Sequence, residues 1–349
     1  MTCEVPIRAA AAPDIRLEPG FAAAIDAVAA HERHLFLRRS WYEAAGGERA
    51  ATLVATRADG EIVAALPTVA AGPRALGLRA VPGCYWPFRS FPVAADAGDE
   101  ALAALLTAPA ARAALGRAWR LGPVMDNDPT LARLLPVARR CGFSVLARRA
   151  ATSFALDIAA AEAAEPWPKP STARNMHKHE KRLARLGALG FRFVTGSDWT
   201  GAVLDELVAI ERNSWAGSRA GADPKFVDPA LRRGWAEMIE DPALAAMLSV
   251  GILAIDGEPV AFSFGADCGR TRYCIATSYD ARFARHSPGY LTGYRTYAAA
   301  VARGVERLSL GAGDGGEKGS MGAAPEGELI DCLFVRGAAL AALLRPFWK

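Results

Sequence analysis

The sequence of 349 residues lacks the patterns that identify many protein classes at sight. Its six cysteines are scattered and form no Cys-x-x-Cys pair, which argues against a zinc site and a disulfide framework. It contains no run of about 18 apolar residues, so we expect no membrane-spanning helix. The first residues show no basic start before an apolar core, so we expect no signal peptide. We therefore expect reduced thiols and a location in the cytoplasm. A location at the inner face of the membrane is the alternative.

Strong charge is also missing, since the formal net charge is only +4. Global charge therefore does not indicate a nucleic-acid partner. His177 and His179 are two residues apart on a predicted helix and point to different sides, so we expect no metal site. The hydrophobic fraction of 52% suffices for sizeable cores, and the length suggests about two domains.

The two halves of the sequence resemble each other. Asp59-Gly60 and Asp256-Gly257 each separate two apolar runs, which is typical of a tight hairpin. An Arg-x-Ser-Trp tetrapeptide precedes each hairpin, at residues 38–41 and 212–215. This repeated order favours an internal duplication. Because helices and strands are mixed within each half, the sequence predicts an α/β (α+β) fold with two tandem domains, each a mixed twisted sheet flanked by helices.

Proline marks the expected boundary between the domains. Pro166, Pro168 and Pro170 favour an extended linker over residues 161–171. The predicted domains are therefore residues 1–160 and 172–349. Within them, residues 1–20 read as a loosely held lead-in, residues 21–45 as one helix and residues 171–189 as a basic helix.

Residues 257–319 give the clearest indication of function. Their predicted order is hairpin, strand, glycine-containing turn, helix and strand. The turn Ser287-Pro288-Gly289 places proline in the first helical turn and glycine where the backbone can approach a phosphate. Free N–H groups at such a helix N-terminus bind anions. Three nearby side chains add positive charge: Arg282, Arg285 and His286.

Five motifs in fixed order extend over residues 36–320. They are Phe36-Leu37-x-x-x-Trp41, Arg174-Asn175-x-x-Lys178-x-x-Lys181-Arg182-Leu183, Asp256-Gly257-Glu258-Pro259-Val260-Ala261, Tyr279-Asp280-x-x-Phe283-x-x-x-Ser287-Pro288-Gly289 and Gly313-Asp314-x-x-x-Lys318. In this order the chain resembles GNAT acyltransferases, specifically tandem-GNAT proteins of the CelD/BcsL type with a BioF2-like acetyltransferase domain, which are related to FemAB-like proteins.

This resemblance implies a splayed sheet with an acyl-CoA, expected to be acetyl-CoA, against its fourth strand. Pantetheine would lie on residues 275–279 and the pyrophosphate on residues 285–291. Leu291 occupies a position where the family has a small residue, which leaves room for another acyl donor. We expect donor binding only in the second domain. The implied donor-binding residues are Ile275, Ala276, Thr277, Arg282, Arg285, His286, Ser287, Pro288, Gly289 and Tyr290.

Acyl transfer to an amine requires a proton acceptor and a proton for the leaving thiolate. Glu211 is a candidate base, and a solvated helix carboxylate is the alternative. Asp314 is a second candidate base or an orienting group, and Lys318 a candidate anion-binding group, although both also fit a polar loop. The resemblance implies an acid-donating tyrosine after Asp314, but none follows it in this sequence. The candidate acids are therefore Tyr279, Tyr290 or water. Tyr279 alternatively packs at the sheet edge.

Arg174, Lys178, Lys181 and Arg185 recur at helical spacing and share one face. This face is either merely solvated or binds an anionic partner such as an acidic polysaccharide, a nucleotide- or lipid-linked sugar, or tRNA. With Trp215, Arg174 and Lys178 are the candidate acceptor-binding residues.

The resemblance favours an N-acyltransferase acting on an amine, such as an amino sugar of an exopolysaccharide or its precursor. The first alternative is a FemAB-like peptidyl transferase that uses aminoacyl-tRNA. The second is a non-catalytic scaffold in polysaccharide assembly.

Overall fold

A computed structural model describes residues 12–73, 77–83, 85, 88–214, 224–313 and 315–348, except for the side chain of Glu317. Within these ranges the strands are β1 (Asp14–Pro19), β2 (Ala51–Thr56), β3 (Ile62–Ala71), β4 (Leu78–Ala80), β5 (Ala118–Met125), β6 (Phe143–Asp157), β7 (Leu189–Thr195), β8 (Leu248–Ile255), β9 (Glu258–Cys268), β10 (Thr271–Tyr279), β11 (Arg307–Ala312) and β12 (Ala324–Arg336).

The α-helices of the described residues are α1 (Ala24–Ala27), α2 (Arg39–Ala45), α3 (Asp99–Thr107), α4 (Pro109–Leu115), α5 (Pro129–Arg140), α6 (Ile158–Ala164), α7 (Pro170–Leu183), α8 (Gly201–Arg212), α9 (Pro229–Ile239), α10 (Pro242–Met247), α11 (Pro288–Val301), α12 (Gly315–Ser320) and α13 (Ala338–Leu344). Short 3-10 helices span Glu32–His34, Gly196–Asp198, Ala281–His286 and Arg345–Phe347.

The chain divides into two compact units. The first draws on Met1–Arg39, Gly47–Arg148 and Asp331–Lys349, and the second on Ser40–Gly46 and Arg149–Ile330. Strands β6 and β12 each contribute residues to both units. The domain boundaries predicted from proline content, at residues 160 and 171, stay a prediction.

In the first unit the strands lie in the order β1-β2-β3-β4-β5-β12-β6. Strands β2 and β3 form the hairpin predicted at Asp59-Gly60, and β4 runs parallel to β5. Apolar side chains of β5, β6, β12 and α13 form a common cluster that includes Ala118, Leu146 and Val335. Strands β2 and β3 are buried continuously over most of their length, as the two apolar runs around Asp59-Gly60 predict.

Two predictions for the first 45 residues were wrong. Residues 14–19 are not a loose lead-in, because β1 pairs antiparallel with β2 along its whole length. Residues 21–45 do not form one helix either, since Val28 is extended and Ala30 forms a β-bridge with Ala94. Backbone pairing to a distant segment overrides the helical propensity of this alanine-rich stretch.

A buried polar cluster ties three segments of the first unit together. The Asp128 carboxylate lies 2.7 Å from His34 Nε2 and accepts hydrogen bonds from Ser90 Oγ (3.0 Å) and from the Leu131 amide (2.8 Å). Burial acts to raise the pKa of Asp128, but the charge and hydrogen bonds of His34, with the other donors, hold that pKa below its usual value. The same carboxylate caps α5 by accepting from the Leu131 amide.

In the second unit the strand order is β12-β6-β11-β10-β9-β8-β7. Strands β8 and β9 form the second predicted hairpin, at Asp256-Gly257. The predicted basic helix is shorter than expected, because α7 ends at Leu183 and the chain then enters β7. Asp256 explains this ending: its carboxylate accepts from the Ala188 amide, and its own amide donates to the Ala188 carbonyl, both at 2.8 Å.

Helix α11 packs closely on one face of this sheet. A side chain at Gly251 of β8 would collide with Thr296 of α11, so the close approach requires glycine there. Within the same sheet, the fully buried Arg272 pairs with Asp267 at 2.7 Å and donates to Ser249 Oγ at 2.5 Å. The pairing compensates a charge that would otherwise be costly to bury.

Candidate functional site

The centre of the second unit is a fork between β10 and β11. The two strands pair in parallel at three positions, and the last of these pairs joins Tyr273 to Ser309. Beyond it, β10 continues to Tyr279 in register with β9. Backbone irregularities lie at the level of the fork, between Cys274 and Ala276 on β10 and directly after Ser309 on β11. Because a bulge bends its strand and interrupts pairing, these irregularities account for the separation.

A groove of about 290 Å³ lies along the open part of β10. Helix α11 forms one wall with tyrosines spaced four and three residues apart and with two glycines that keep the wall low. Two residues of β10 and Met321 also line the groove. The lining residues are Thr277, Tyr279, Gly289, Tyr290, Gly293, Tyr294, Tyr297 and Met321.

Gly289 lies against Tyr279 across this groove. A Cβ atom at position 289 would lie 2.8 Å from Tyr279 Cδ1, which is too close for any real side chain. At Gly293 the nearest atoms, in Tyr297, would be 3.8 Å away, an ordinary contact distance. The glycine predicted for phosphate approach thus also has a packing role, whereas a Cβ at Gly293 would make only ordinary contacts.

Tyrosine hydroxyl groups on the groove wall are neutral. Burial, with a smaller effect of Tyr290, raises the pKa of Tyr294 to about 12. Burial, followed by the neighbouring Cys274, raises the pKa of Tyr297 as well. The thiol of Cys274, next to Tyr297, has a pKa raised by burial to about 11. These groups are therefore protonated at neutral pH.

The turn before α11 starts the helix without a side-chain cap. Ser287 adopts a left-handed conformation (φ 54°, ψ 49°), its side chain makes no capping hydrogen bond, and Pro288 occupies the first helical turn. The first helical bond runs from the Leu291 amide to the Ser287 carbonyl at 3.3 Å. The amides of Gly289 and Tyr290 precede it and have no acceptor within the helix. Gly289 and Tyr290, which follow this turn, line the groove, whereas the binding of a phosphate there stays a prediction.

The predicted cations at this turn differ in their availability. Arg282 donates to Asp280 at 2.8 Å and to Glu258 at 2.6 Å, so its charge is already compensated. Burial acts to raise the pKa of Asp280, but hydrogen bonds from Arg282 hold it below its usual value. The exposed Arg285 donates to His286 Nε2 at 3.0 Å. Arg285 and His286 therefore remain at the surface beside the turn.

Glu211 is buried, unlike the solvated carboxylate considered as an alternative. Its side chain is only 2% exposed and accepts three backbone hydrogen bonds, from Lys225 (2.9 Å), Phe226 (2.6 Å) and Val227 (2.8 Å). The carboxylate thereby fixes the segment that precedes α9. Its role as a base stays a prediction.

Lys318 lies near the end of β11. Its Nζ donates to the carbonyls of Gly311 (2.6 Å) and Ala312 (2.7 Å), and it is 5.6 Å from the centre of the Phe154 ring. These bonds connect α12 to the last residues of β11, beyond the point at which β11 separates from β10. Asp314, the candidate base of this region, lies outside the described residues. Trp215, a candidate acceptor-binding residue, also lies outside them.

The remaining predicted residues lie on β10 and α7. Ile275 is buried at the bulge, Ala276 follows it, and the Thr277 hydroxyl donates to Ser263 Oγ at 3.2 Å. Arg174 and Lys178 are found on α7, which packs against α11. Thus the structure brings Thr277, Tyr279 and the turn together, and places the cations of α7 on the adjoining surface.

A polar cluster that the sequence analysis missed occupies β12, β6 and β11. Oε1 of Glu326 accepts hydrogen bonds from Ser153 and Ser309, both at 2.6 Å, and Oε2 accepts from Arg307 at 3.2 Å. A carboxylate three residues before the apolar run of β12 was the sequence feature that could have drawn attention to it. Its serine partners come from other strands and could not be identified from spacing.

The described residues hold neither a metal-ligand cluster nor a membrane-spanning helix. In the described parts of the chain, no group of three or more His, Cys, Asp or Glu side chains is arranged to hold a metal ion. No helix there is both long and apolar enough to span a bilayer.

Residues 170–319 match the family model described as the acetyltransferase (GNAT) domain, and no curated protein matches the chain. Similar solved structures include FemX (TM-score 0.62, 12% identity, covering 90% of this chain and 97% of that one). A conserved protein of unknown function from Bacteroides thetaiotaomicron VPI-5482 has a TM-score of 0.56 at 15% identity, covering 92% of this chain and 100% of that one.

A third similar structure is the C-terminal domain of a putative lysylphosphatidylglycerol synthetase from Agrobacterium fabrum. Its TM-score is 0.51 at 17% identity, and the match covers 90% of this chain and 89% of that one. At these low sequence identities, structural similarity is evidence for the fold alone. With the domain match, these similarities confirm the predicted mixed α/β, GNAT-like fold, whereas the specific relationship to CelD/BcsL proteins stays a prediction.

Proposed function

We propose that the chain is an N-acyltransferase that moves an acetyl group from acetyl-CoA to an amine. The observation that carries this proposal is the fork of β10 and β11, continued by a groove that ends at the N-terminus of α11. The match of residues 170–319 to an acetyltransferase domain supports it.

The fork suits an extended, amide-containing donor. Beyond Tyr273, the edge of β10 that faced β11 offers backbone N–H and C=O groups, and a pantetheine chain pairs with such an edge as a strand would. A backbone N–H near the bulge polarises the thioester carbonyl. The pyrophosphate binds the amides of Gly289 and Tyr290, with Arg285 and His286 beside them.

A tyrosine hydroxyl of the groove protonates the leaving thiolate. Tyr279 and Tyr290, the candidate acids, line the groove, and Tyr297 is a further hydroxyl kept protonated by its raised pKa. Lys318, close to the end of β11, supplies positive charge near the reacting thioester.

Titration with acetyl-CoA in a calorimeter tests the donor site. Gly293→Leu projects a side chain into the groove from a position where the first added carbon meets no close contact. We expect saturable binding by the wild type and at least about tenfold weaker binding by the variant, since the pantetheine and leucine compete for one space. Gly201→Leu, at an exposed helix start with open space around it, is the matched control. A wild type without binding, or equal binding by Gly293→Leu, contradicts the proposal.

The acceptor proposed is an amino sugar of an exopolysaccharide or its precursor. Cations of α7, including Arg174 and Lys178, lie on a helix that contacts α11 and would attract an acidic acceptor. Trp215 completes the proposed acceptor site by sequence position. Raising the ionic strength should weaken an acidic acceptor more than a neutral one of the same size.

The same cations favour a second candidate function, transfer from aminoacyl-tRNA. Phosphates of a tRNA would pair with the side chains of α7 that are spaced three and four residues apart. Retention of aminoacyl-tRNA without binding of acetyl-CoA would favour this candidate. A protein that binds neither ligand would support the non-catalytic scaffold.

A further inference from the structure

We propose that Glu326 accepts the proton released by the acceptor amine. This inference rests on the proposed acyl transfer and names a residue for a step that the donor groove does not perform. Glu326 is nearly enclosed, because its side chain is only 9% exposed. A carboxylate held in this way has a fixed orientation, which general-base catalysis requires.

A single hydrogen bond connects Glu326 to a residue at the fork. Its Oε1 accepts from Ser309, and Ser309 forms the last pair between β11 and β10. The carboxylate therefore lies beside the point at which the two strands separate. In the proposed reaction the thioester is positioned at that same point.

The carboxylate lies on the opposite face of the sheet from the groove. Leu308 and Leu310 pack in the cluster that contains Tyr297 of α11. Ser309 lies between them along β11, so its side chain points to the other face. An amine that approaches from this other face meets Glu326, while the donor occupies the α11 face. Donor and acceptor can then reach the fork from opposite sides.

The hydrogen bonds leave one side of the carboxylate suited to proton transfer. Oε1 is held by Ser153 and Ser309 at 2.6 Å, which sets the plane of the group. Oε2 accepts the longer bond, 3.2 Å, from Arg307, whose side chain is 40% exposed. Since Arg307 is more exposed to solvent than Glu326 is, Oε2 lies on the solvent-accessible side of the carboxylate. It can receive a proton there directly or through a water molecule.

The step balances without a further reagent. The amine nitrogen forms a bond to the thioester carbonyl carbon, and its proton passes to Glu326. The carbon–sulfur bond then breaks, and the thiolate takes a proton from a tyrosine hydroxyl of the groove. Glu326 releases its proton to solvent, and the tyrosine regains one from solvent. The products are an amide and the free thiol.

Glu326→Gln tests the assignment, because glutamine keeps the size and an oxygen for the two serines but accepts no proton at neutral pH. The matched control is Glu328→Gln, which removes the same charge from the same strand and face, where Glu328 pairs with Arg149. The assay measures thiol release from acetyl-CoA with glucosamine, lysine, spermidine or water as acceptor. Acetyl-CoA binding is measured separately by calorimetry.

We expect Glu326→Gln to lower kcat/KM by about 100-fold or more. Acetyl-CoA affinity should stay within about twofold, since the carboxylate acts on the acceptor and not on the donor. Glu328→Gln should keep the rate. Partial recovery of the rate by Glu326→Asp, which restores a carboxylate, would support the assignment.

Three results would overturn the assignment in distinguishable ways. Wild-type activity with an equally active Glu326→Gln variant rejects Glu326 alone. A wild type that binds acetyl-CoA but releases no thiol with any of these acceptors rejects Glu326 as a working base and leaves the donor site in place. A wild type that does not bind acetyl-CoA rejects the proposed function itself.

Discussion

The two units build the same strand arrangement but differ in the length of its middle strand. In each, an antiparallel pair is continued by a parallel neighbour: β3, β4 and β5 in the first unit, and β9, β10 and β11 in the second. Strand β4 has three residues, whereas β10 has nine and outruns its parallel partner. The longer strand therefore leaves an open edge beyond its parallel pairs.

Side chains reinforce this difference. In the first unit, Arg79 of β4 donates hydrogen bonds to the carbonyls of Ala114 (3.0 Å), Arg49 (2.7 Å) and Thr68 (3.1 Å). In the second unit, Thr277 and Tyr279 of β10 border a groove. Similar strand pairing thus supports a cross-linked structural element in one unit and a candidate binding site in the other. This contrast is consistent with the proposal that only the second unit binds the donor.

The largest expected effect concerns the stability of the first unit. Asp128→Ala removes the buried partner of His34 and the cap of α5, and should lower the free energy of unfolding by about 3–5 kcal/mol. Chemical denaturation measures it. The control Asp99→Ala, which removes an exposed ion pair with Arg140, should cost no more than about 1 kcal/mol. Equal losses for the two variants would show that the buried cluster is not a special contributor.

Glu211 provides the corresponding experiment in the second unit. Glu211→Ala leaves three backbone amides near Phe226 without their acceptor and should cost about 2–4 kcal/mol. The milder control is Glu206→Ala. Glu206 lies on the same helix as Glu211 and pairs with Arg192 of β7. If Glu211→Ala leaves stability intact and abolishes turnover, Glu211 is the base after all, and the assignment of Glu326 fails.

Acid should destabilise the second unit partly through Asp280. Its folded-state pKa is lowered, so its contribution to stability is present above the pKa of the unfolded chain, about 3.9, and is lost as the pH falls through the folded value. Asp280→Asn should therefore reduce the loss of stability between neutral pH and pH values of about 4 and below. Urea denaturation across this range measures the difference, and an unchanged pH dependence would argue against the Arg282 pair.

The smallest effect separates the two glycines of α11. Gly293→Ala should stabilise the protein by about 0.5–1 kcal/mol, because alanine favours helix and its Cβ meets only ordinary contacts. Gly289→Ala should instead destabilise it, since the added Cβ would lie 2.8 Å from Tyr279. Thermal unfolding of both variants checks the opposite signs.

Local sequence patterns predicted the two hairpins and the turn at Ser287-Pro288-Gly289. These features depend on period-two hydrophobicity, Asp-Gly turns and proline placement, all of which act over a few residues. The errors at residues 21–45 and at the end of α7 arose from pairing with distant segments. Ala30 is held by Ala94, and Ala188 by Asp256, which no local pattern reveals.

The candidate site was predictable to the same extent. The donor turn lies in one stretch of sequence, so its residues could be named in advance. The cluster around Glu326 joins residues far apart in the chain, Ser153 and Glu326, and depends on the order β12-β6-β11. Glu211 could be identified as important but not as buried, because its partners are backbone amides of a different segment.

A crystal structure of the protein with acetyl-CoA tests the central claim most directly. The account predicts pantetheine along the open edge of β10, the pyrophosphate at the amides of Gly289 and Tyr290, and the thioester at the fork beside Ser309. Acetyl-CoA bound elsewhere in the second unit, or in the first unit, would contradict it.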